Sequence, residues 1–141
     1  MRRFLLISLV CLFGCEKQEE DSFLKYLTEV HHINAEKQWA YNFYLINLNS
    51  CTDCVNISLD FLSKNSSLDI DVILVGRHKK FLKSFQGLGY DLLYDDLDMA
   101  FKYGHYTQKP LLVTIRNGEI CNKVNIKDAQ VEHLKHYLIC D

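Results

Sequence analysis

Two cysteines, Cys51 and Cys54, stand in a C-x-x-C motif where a strand-like run of residues gives way to a helix-like run. The preceding residues 41–48 are dense in aromatic and branched side chains, which favour a β-strand. In residues 55–62 the apolar side chains recur at helical spacing. Cys51 is therefore expected at a helix N-terminus, where free backbone amides and the helix dipole favour a thiolate. A thiolate with a second thiol one helical turn away is suited to disulfide exchange.

The N-terminal residues have the pattern of a targeting segment. A basic start over residues 1–3 precedes an apolar stretch over residues 4–13, which is too short to span a bilayer. The letters LFGC at residues 12–15 then resemble the lipobox at which bacterial lipoproteins are cleaved. A plain signal peptide or an uncleaved anchor is the alternative. We expect a signal peptide over residues 1–14, a lipidated Cys15, a polar tether over residues 15–21 and a folded domain over residues 22–141.

Length, charge and cysteine content narrow the class of protein further. Cleavage after residue 14 of the 141-residue chain would leave 127 residues, a length that suits one domain with a single core. The formal net charge is −2 and no basic stripe is present, so nucleic acid is not an expected partner. The predicted location is the bacterial cell envelope, on its periplasmic or extracytoplasmic face. In such an oxidising compartment, disulfides can form among the four cysteines that remain after processing, namely Cys51, Cys54, Cys121 and Cys140.

Helix-like and strand-like segments alternate along the rest of the chain. The patterns predict helices over residues 22–33, 52–64, 79–85, 97–103 and 128–139, and strands over residues 40–48, 70–75, 90–94, 111–115 and 119–124. Asn117-Gly118 between two apolar runs is a strong hairpin signal. The alternation predicts a mostly parallel sheet covered on both faces, to which the hairpin adds an antiparallel edge. The predicted class is an α/β domain with a central mixed sheet flanked by helices.

Several of these features occur in an order that resembles the thioredoxin fold. A strand runs into C-x-x-C at a helix start, and the lone Pro110 then opens the hairpin sequence KPLLVTIRNGEI over residues 109–120. The resemblance spans residues 41–139. An added helix–strand unit over residues 79–94 is further similar to membrane-tethered thiol-disulfide oxidoreductases related to peroxiredoxins. The resemblance implies a thioredoxin-like α/β fold with an inserted helix–strand unit.

The same resemblance implies roles for individual residues. Cys51 would be the attacking thiol and Cys54 the buried resolving thiol, with no cofactor beyond the cysteines themselves. Pro110 would be a cis-proline that faces the pair and, together with Lys109, contacts an extended substrate. The alternative is an ordinary trans proline at the start of a strand, where proline is tolerated. The implied partners are protein thiol or disulfide substrates and a membrane thiol protein that donates electrons.

Residues near the motif bear on the direction of electron transfer. Thr52 and Asp53 lie between the cysteines and would modulate them, since the negative charge of Asp53 raises the pKa of a nearby thiol. Lys109 would act in the opposite sense. A less stabilised thiolate makes the disulfide comparatively favourable, so we expect a reductant. The alternative function is a non-catalytic thioredoxin-like binding module in which the Cys51–Cys54 disulfide is static.

The other cysteines and two histidines have simpler interpretations. An antiparallel arrangement of the last strand and last helix would bring Cys140 over Cys121, so a structural disulfide and two free thiols are both open. A zinc site would need a second close pair of cysteines, so no metal is expected. His31 and His32 fall near the end of the first predicted helix, where a solvated helix end is favoured over a metal site.

Overall fold

The structure is a computed structural model that describes residues 22–37, 39–105, 108–126 and 133–140. The expected signal peptide, the lipidated Cys15 and the polar tether lie outside the described residues, as do residues 128–132 of the last predicted helix. Within the described ranges, no helix is long and apolar enough to cross a membrane.

Five strands and five helices are defined within these ranges. The strands are β1 (Ala40–Asn47), β2 (Asp71–Val75), β3 (Leu92–Asp95), β4 (Leu111–Arg116) and β5 (Glu119–Asn125). The helices are α1 (residues 22–31), α2 (Thr52–Lys64), α3 (Lys79–Gln86), α4 (Met99–Lys102) and α5 (Leu134–Tyr137), with a 3₁₀ turn at Ala35–Lys37. The strands and the first four helices confirm the predicted segments, with small shifts at their ends.

The strands form one sheet in the order β3-β2-β1-β4-β5. β1 pairs in parallel with β2, and β2 with β3, while β4 runs antiparallel to both β1 and β5. The carboxyl ends of the three parallel strands therefore lie at one end of the sheet. This end carries Cys51 shortly after β1, Gly76 directly after β2 and Asp95 as the last residue of β3. The predicted mixed sheet flanked by helices is confirmed.

Apolar side chains pack on both faces of this sheet. On one face, Tyr44 and Ile46 of β1 pack with apolar residues of α2, α3 and α5. On the other face, Phe43 and Leu45 pack with apolar residues of α1 and α4. Because β1 is buried on both faces, its sequence is a nearly continuous apolar run rather than an alternating one.

Asn117 and Gly118 form the two-residue turn of the β4–β5 hairpin. Their φ values are 53° and 82°, and left-handed φ at both central positions is the mark of the type I′ turn that hairpins favour. The β4–β5 register shifts between Thr114 and Ile115, which leaves Cys121 as the extra residue of a β-bulge. The predicted hairpin is confirmed, and Cys121 occupies an irregular position in an edge strand.

Helix α1 ends two residues earlier than predicted. His32 has a left-handed φ of 57°, which stops the helix, and the Ile33 amide then donates to the Leu27 carbonyl at 3.1 Å. The expectation of a solvated helix end was wrong for His31, which is partly buried. Its Nε2 lies 3.0 Å from the hydroxyl of Tyr26, a buried residue of the same helix, so the ring folds back along α1 instead of extending into solvent.

Candidate active site

A tight turn carries the chain from β1 to the C-x-x-C motif. The side-chain oxygen of Asn47 accepts a hydrogen bond from the Asn49 amide at 2.9 Å, which is an Asx turn. The Ser50 amide donates to the Asn47 carbonyl at 3.1 Å. Both bonds are local, so the chain reverses its course immediately before Cys51.

Gly76, which directly follows the neighbouring strand β2, packs closely against this turn. Its φ is 99°, and a Cβ atom added there would lie 2.5 Å from Nδ2 of Asn49. The Leu48 amide donates to the Val75 carbonyl at 2.8 Å, which extends the β1–β2 pairing toward the motif. A side chain at position 76 would displace Asn49, so glycine is required for this close approach.

Cys51 is the N-cap residue of α2, as the sequence predicts. Its φ and ψ of −61° and 138° are extended, and its Sγ accepts a hydrogen bond from the Cys54 amide at 3.1 Å. The Val55 amide donates to the Cys51 carbonyl at 3.2 Å, which begins the helical ladder. The same Sγ atom is bonded to Cys54, with the two Cα atoms 5.3 Å apart. A backbone N–H aimed at Sγ is the interaction that stabilises a thiolate when the disulfide opens.

The two cysteines differ in their access to solvent. Cys51 is exposed, whereas Cys54 is partly buried and not fully buried as the resemblance implied. Cys54 keeps part of its exposure because it lies in the first turn of α2, at the solvent-facing end of the sheet. An incoming disulfide can therefore reach Cys51 more readily than Cys54.

Two buried hydroxyl groups lie on the core-facing side of Cys54, one from the next turn of α2 and one from β1. The Ser58 hydroxyl donates to the Cys54 carbonyl at 3.1 Å, and the Tyr44 hydroxyl lies 3.3 Å from Oγ of Ser58. Both side chains are fully buried. Burial raises the pKa of Tyr44 to about 12, partly offset by the hydrogen bond to Ser58, so the phenol is neutral at physiological pH. Sequence patterns did not single out either residue, although the spacing of four between Cys54 and Ser58 was visible.

Thr52 and Asp53 are both exposed on the first turn of α2. Asp53 is the acidic residue of that turn, which contains no lysine or arginine. A carboxylate near a helix N-terminus is favourable for the helix. For a neighbouring thiolate it is unfavourable, and solvent screens the effect.

Pro110 lies at the same end of the sheet as the disulfide. The β1–β4 ladder ends with Leu45 opposite Leu111, so the residue before Leu111 reaches the end from which β1 leads to Cys51. Pro110 is buried and its carbonyl accepts a hydrogen bond from the Ile126 amide at 2.8 Å, while Lys109 is exposed.

The structure corrects the expectation that Pro110 is a cis-proline. No peptide bond among the described residues is cis, so the Lys109–Pro110 bond is trans. The trans form is the ordinary preference of an X–Pro bond. The Ile126 hydrogen bond continues the β4–β5 pairing by one residue, from Leu111 to Pro110.

The second pair of cysteines lies toward the other end of the sheet. Cys121 and Cys140 are joined by a disulfide with their Cα atoms 5.9 Å apart. Cys121 is the bulge residue of β5 near the hairpin turn, and Cys140 follows α5. This disulfide ties the last described residues to an edge strand and is remote from the end of the sheet that bears Cys51.

Metal ligands do not gather at either disulfide. Among the described residues, no group of three or more His, Cys, Asp or Glu side chains could hold a metal ion. A polar cluster of another kind lies on the opposite face of the sheet from α2, where Tyr26 donates to Asp95 at 3.0 Å and accepts from His31. Burial lowers the pKa of His31, an effect that the nearby Asp95 carboxylate opposes.

Comparison with known proteins identifies the class of fold. No family model matches the chain, and no curated protein matches its sequence. A secreted disulfide oxidoreductase from Mycobacterium tuberculosis, described as homologous to E. coli DsbE, has a similar structure with a TM-score of 0.53 and 17% identity. The match covers 71% of this chain and 80% of that one. The chain thus has a thioredoxin-like fold.

A second solved structure is similar over a comparable range. It is a thiol:disulfide interchange protein from Bacteroides sp., with a TM-score of 0.51 and 13% identity over 75% of this chain and 77% of that chain. Both structural neighbours are named as proteins of thiol–disulfide chemistry. At these identities the likeness establishes the fold, and the chemistry of this chain has to be argued from its own cysteines.

Proposed function

We propose that this protein is an extracytoplasmic thiol-disulfide oxidoreductase that exchanges its Cys51–Cys54 disulfide with protein substrates. The observation that carries the proposal is the exposed Cys51 sulfur at the N-cap of α2, bonded to Cys54 and facing a backbone N–H. The thioredoxin-like fold of the two neighbours named for the same chemistry supports it.

The reaction requires two exchange steps. In the reduced protein, the Cys51 thiolate attacks one sulfur of a substrate disulfide, and the other substrate sulfur leaves as a thiolate that takes a proton from solvent. The Cys54 thiolate then attacks the Cys51 sulfur, which forms the Cys51–Cys54 bond and releases the second substrate sulfur. Two electrons pass from the protein dithiol to the substrate. A second dithiol protein, which we propose to be a membrane thiol protein, would reduce the pair again.

We further propose that the protein acts as a reductant. The first turn of α2 offers the Cys51 thiolate a backbone N–H but no cationic side chain, and Asp53 adds a negative charge. A thiolate with little stabilisation makes the disulfide the favoured state, which corresponds to a lower reduction potential. Lys109, which precedes β4 at the same end of the sheet, would have the opposite effect on the thiolate. Together with Pro110 it is a proposed contact for an extended substrate.

The proposed site of action is the cell envelope. A lipid on Cys15 would hold the domain at the membrane through the acidic segment over residues 16–21, and the four remaining cysteines suit an oxidising compartment. The membrane link is then the lipid, and the domain itself contacts protein partners.

A trapping experiment tests the proposed chemistry. We expect Cys54→Ser to accumulate mixed disulfides between Cys51 and substrate proteins, because the resolving attack is lost. The measurement is non-reducing electrophoresis followed by mass spectrometry of the adducts. Cys51→Ser is the matched control, since it keeps a cysteine in the motif but removes the exposed nucleophile, and it should trap far less.

The redox potential separates catalysis from a static disulfide. Equilibration of Cys51–Cys54 with dithiol buffers should give a potential above roughly −300 mV, the region below which structural disulfides resist reduction. A lower potential, together with no adducts of Cys54→Ser, would contradict the enzyme and support the non-catalytic binding module.

A further inference from the structure

The two hydroxyl groups below Cys54 form a chain of hydrogen bonds with a defined direction. The single hydrogen of the Ser58 hydroxyl is donated to the Cys54 carbonyl at 3.1 Å. The Tyr44 hydroxyl, 3.3 Å away, must therefore donate its hydrogen to Oγ of Ser58. The chain runs from β1 through α2 and ends at the residue that carries the resolving sulfur.

Charged groups are remote from this chain on the buried side of α2. Apart from tyrosines, two ionisable residues are nearly fully buried among the described ones, and both contact α1, which packs on the opposite face of the sheet. Asp95 accepts a hydrogen bond from Tyr26, and the ring of His105 lies 5.0 Å from the ring of Phe23. The buried surroundings of Cys54 thus supply hydroxyl groups rather than a carboxylate.

The titratable groups nearer to Cys54 face solvent or are neutral. Cys51 and Asp53 on α2 are exposed, and burial keeps the phenol of Tyr44 on β1 protonated at physiological pH. Helix α3, which packs beside α2, carries three lysines that are also exposed: Lys79, Lys80 and Lys83. A proton that leaves the Cys54 thiol therefore passes to water on its exposed side.

We propose that Tyr44 and Ser58 are positioning residues of the exchange reaction, in which the Ser58 hydroxyl, held by Tyr44, donates to the Cys54 sulfur in the reduced protein. This inference rests on the proposed function. Residues four apart lie on the same face of a helix, and helical side chains lean toward the N-terminus, so Ser58 leans toward the turn that holds Cys54. Rotation of the Ser58 side chain exchanges the carbonyl acceptor for the thiolate.

The hydrogen bond would act on the second exchange step. The Cys54 thiol must give its proton to water before it attacks the Cys51 sulfur, and a donor to the thiolate favours that ionisation. Without the donor, less thiolate is present at neutral pH, and the mixed disulfide on Cys51 persists longer. The first step, the attack by Cys51, does not involve Ser58 and should keep its rate.

The test follows both steps with the aromatic disulfide dithiobis(nitrobenzoate). Attack by Cys51 on this reagent releases one coloured thiolate, and attack by Cys54 on the mixed disulfide releases the second. We expect Ser58→Ala to slow the second release at neutral pH about tenfold and Tyr44→Phe about threefold, as expected for loss of a direct and an indirect hydrogen bond to a thiolate. The midpoint of the pH profile of the second release should move upward, and the first release should be unchanged.

Tyr90→Phe is the matched control, because it also removes a phenol hydroxyl that is bonded to helix α2 or its C-cap, but far from Cys54. The Tyr90 hydroxyl donates to the Asn65 carbonyl at 2.5 Å, at the far end of the helix, and its oxygen lies 3.1 Å from the Leu62 carbonyl. Its second release should match the wild type. Unchanged profiles in Ser58→Ala and Tyr44→Phe, or equal slowing in Tyr90→Phe, would overturn the inference while leaving the proposed function intact. A wild-type protein that releases no thiolate would overturn the proposed function and the inference with it.

Discussion

Single residues determine how the chain approaches the Cys51–Cys54 pair. Position 76 favours glycine, because the Asn49 side chain occupies the space where a Cβ would lie. Asn49 belongs to the turn that ends at Cys51. Ser58 and Tyr44 act at the same scale, since each supplies one hydroxyl below Cys54. Each of these contacts links a residue of the motif region to a neighbour from a different strand or from the next helical turn.

Substitution of Gly76 tests the first of these contacts. We expect Gly76→Ala to lower the free energy of unfolding by about 2–4 kcal/mol, because a left-handed φ and a clash with Asn49 add together. The same change should slow the reaction of Cys51, since the turn before it is displaced. Urea unfolding and the rate of thiol alkylation measure the two effects.

Gly89→Ala provides the control for backbone conformation alone. Gly89 has a φ of 81°, and an added Cβ would meet no atom within 4 Å. Its expected cost is about 1–2 kcal/mol from the left-handed backbone, with no effect on Cys51. Equal losses of stability in the two variants would show that Asn49 gives way easily, contrary to the prediction.

At the scale of elements, the short helix α5 depends on partners from β4 and β5. The Tyr137 carbonyl accepts hydrogen bonds from the side chains of Thr114 and Asn122, each at 3.0 Å. Arg116 donates to the Leu138 carbonyl at 2.6 Å. Carbonyl groups at a helix C-terminus lack partners within the helix, so these side chains satisfy them from the sheet. The Cys121–Cys140 disulfide adds a covalent bond to the same contact.

Removal of this disulfide should destabilise the domain without stopping exchange. For a bond that closes a loop between residues 19 apart, the double variant Cys121→Ser/Cys140→Ser should lose about 3 kcal/mol of unfolding free energy. Urea unfolding of oxidised protein measures the loss, and the difference from wild type should vanish when both proteins are fully reduced. Peptide mapping that found both thiols free in the oxidised wild type would refute the prediction.

At the scale of the whole molecule, one buried network of hydrogen bonds joins α1 to the edge strand β3 and to α4. The Asp95 carboxylate accepts hydrogen bonds from the Tyr26 hydroxyl at 3.0 Å and from the Met99 and Ala100 amides at 2.8 and 2.6 Å. Because Tyr26 donates its hydrogen to Asp95, the ring nitrogen of His31 donates to the Tyr26 oxygen. Helix α1, strand β3 and helix α4 thus share one carboxylate.

The network predicts how the stability of the domain varies with pH. Burial lowers the pKa of His31; the Asp95 carboxylate opposes this effect and the neighbouring His32 adds to it. The unfolded chain then binds a proton more readily than the folded one, so stability should fall as the pH drops through about 6.5, the ordinary histidine value. His31→Gln keeps a donor for Tyr26 but does not titrate. Its unfolding free energy should vary less between pH 7 and 5 than that of wild type, and equal slopes would refute the prediction.

Much of the local structure could be predicted from the sequence. Helix α2 spans Thr52–Lys64, the segment that helical periodicity indicates, and the turn at Asn117-Gly118 follows from the left-handed φ that these two residues tolerate. The N-cap position of Cys51 was predictable for the same reason, since it depends on a strand end and a helix start that are neighbours in the chain. Such features rest on short-range sterics and periodicity, which the order of residues expresses directly.

Contacts between distant segments required the tertiary structure. The pairing of Tyr44 with Ser58, the close approach of Asn49 to Gly76 and the sharing of Asp95 with Tyr26 all depend on the register of the sheet and on which helix covers which face. The trans bond before Pro110 differs from what the family resemblance implied, and His31 is partly buried because its ring contacts the buried Tyr26. The sequence by itself thus determined the C-x-x-C motif and its place at a helix start. Only the folded sheet decided which groups surround the two sulfurs, because side chains far apart in the chain meet only once the strands have paired.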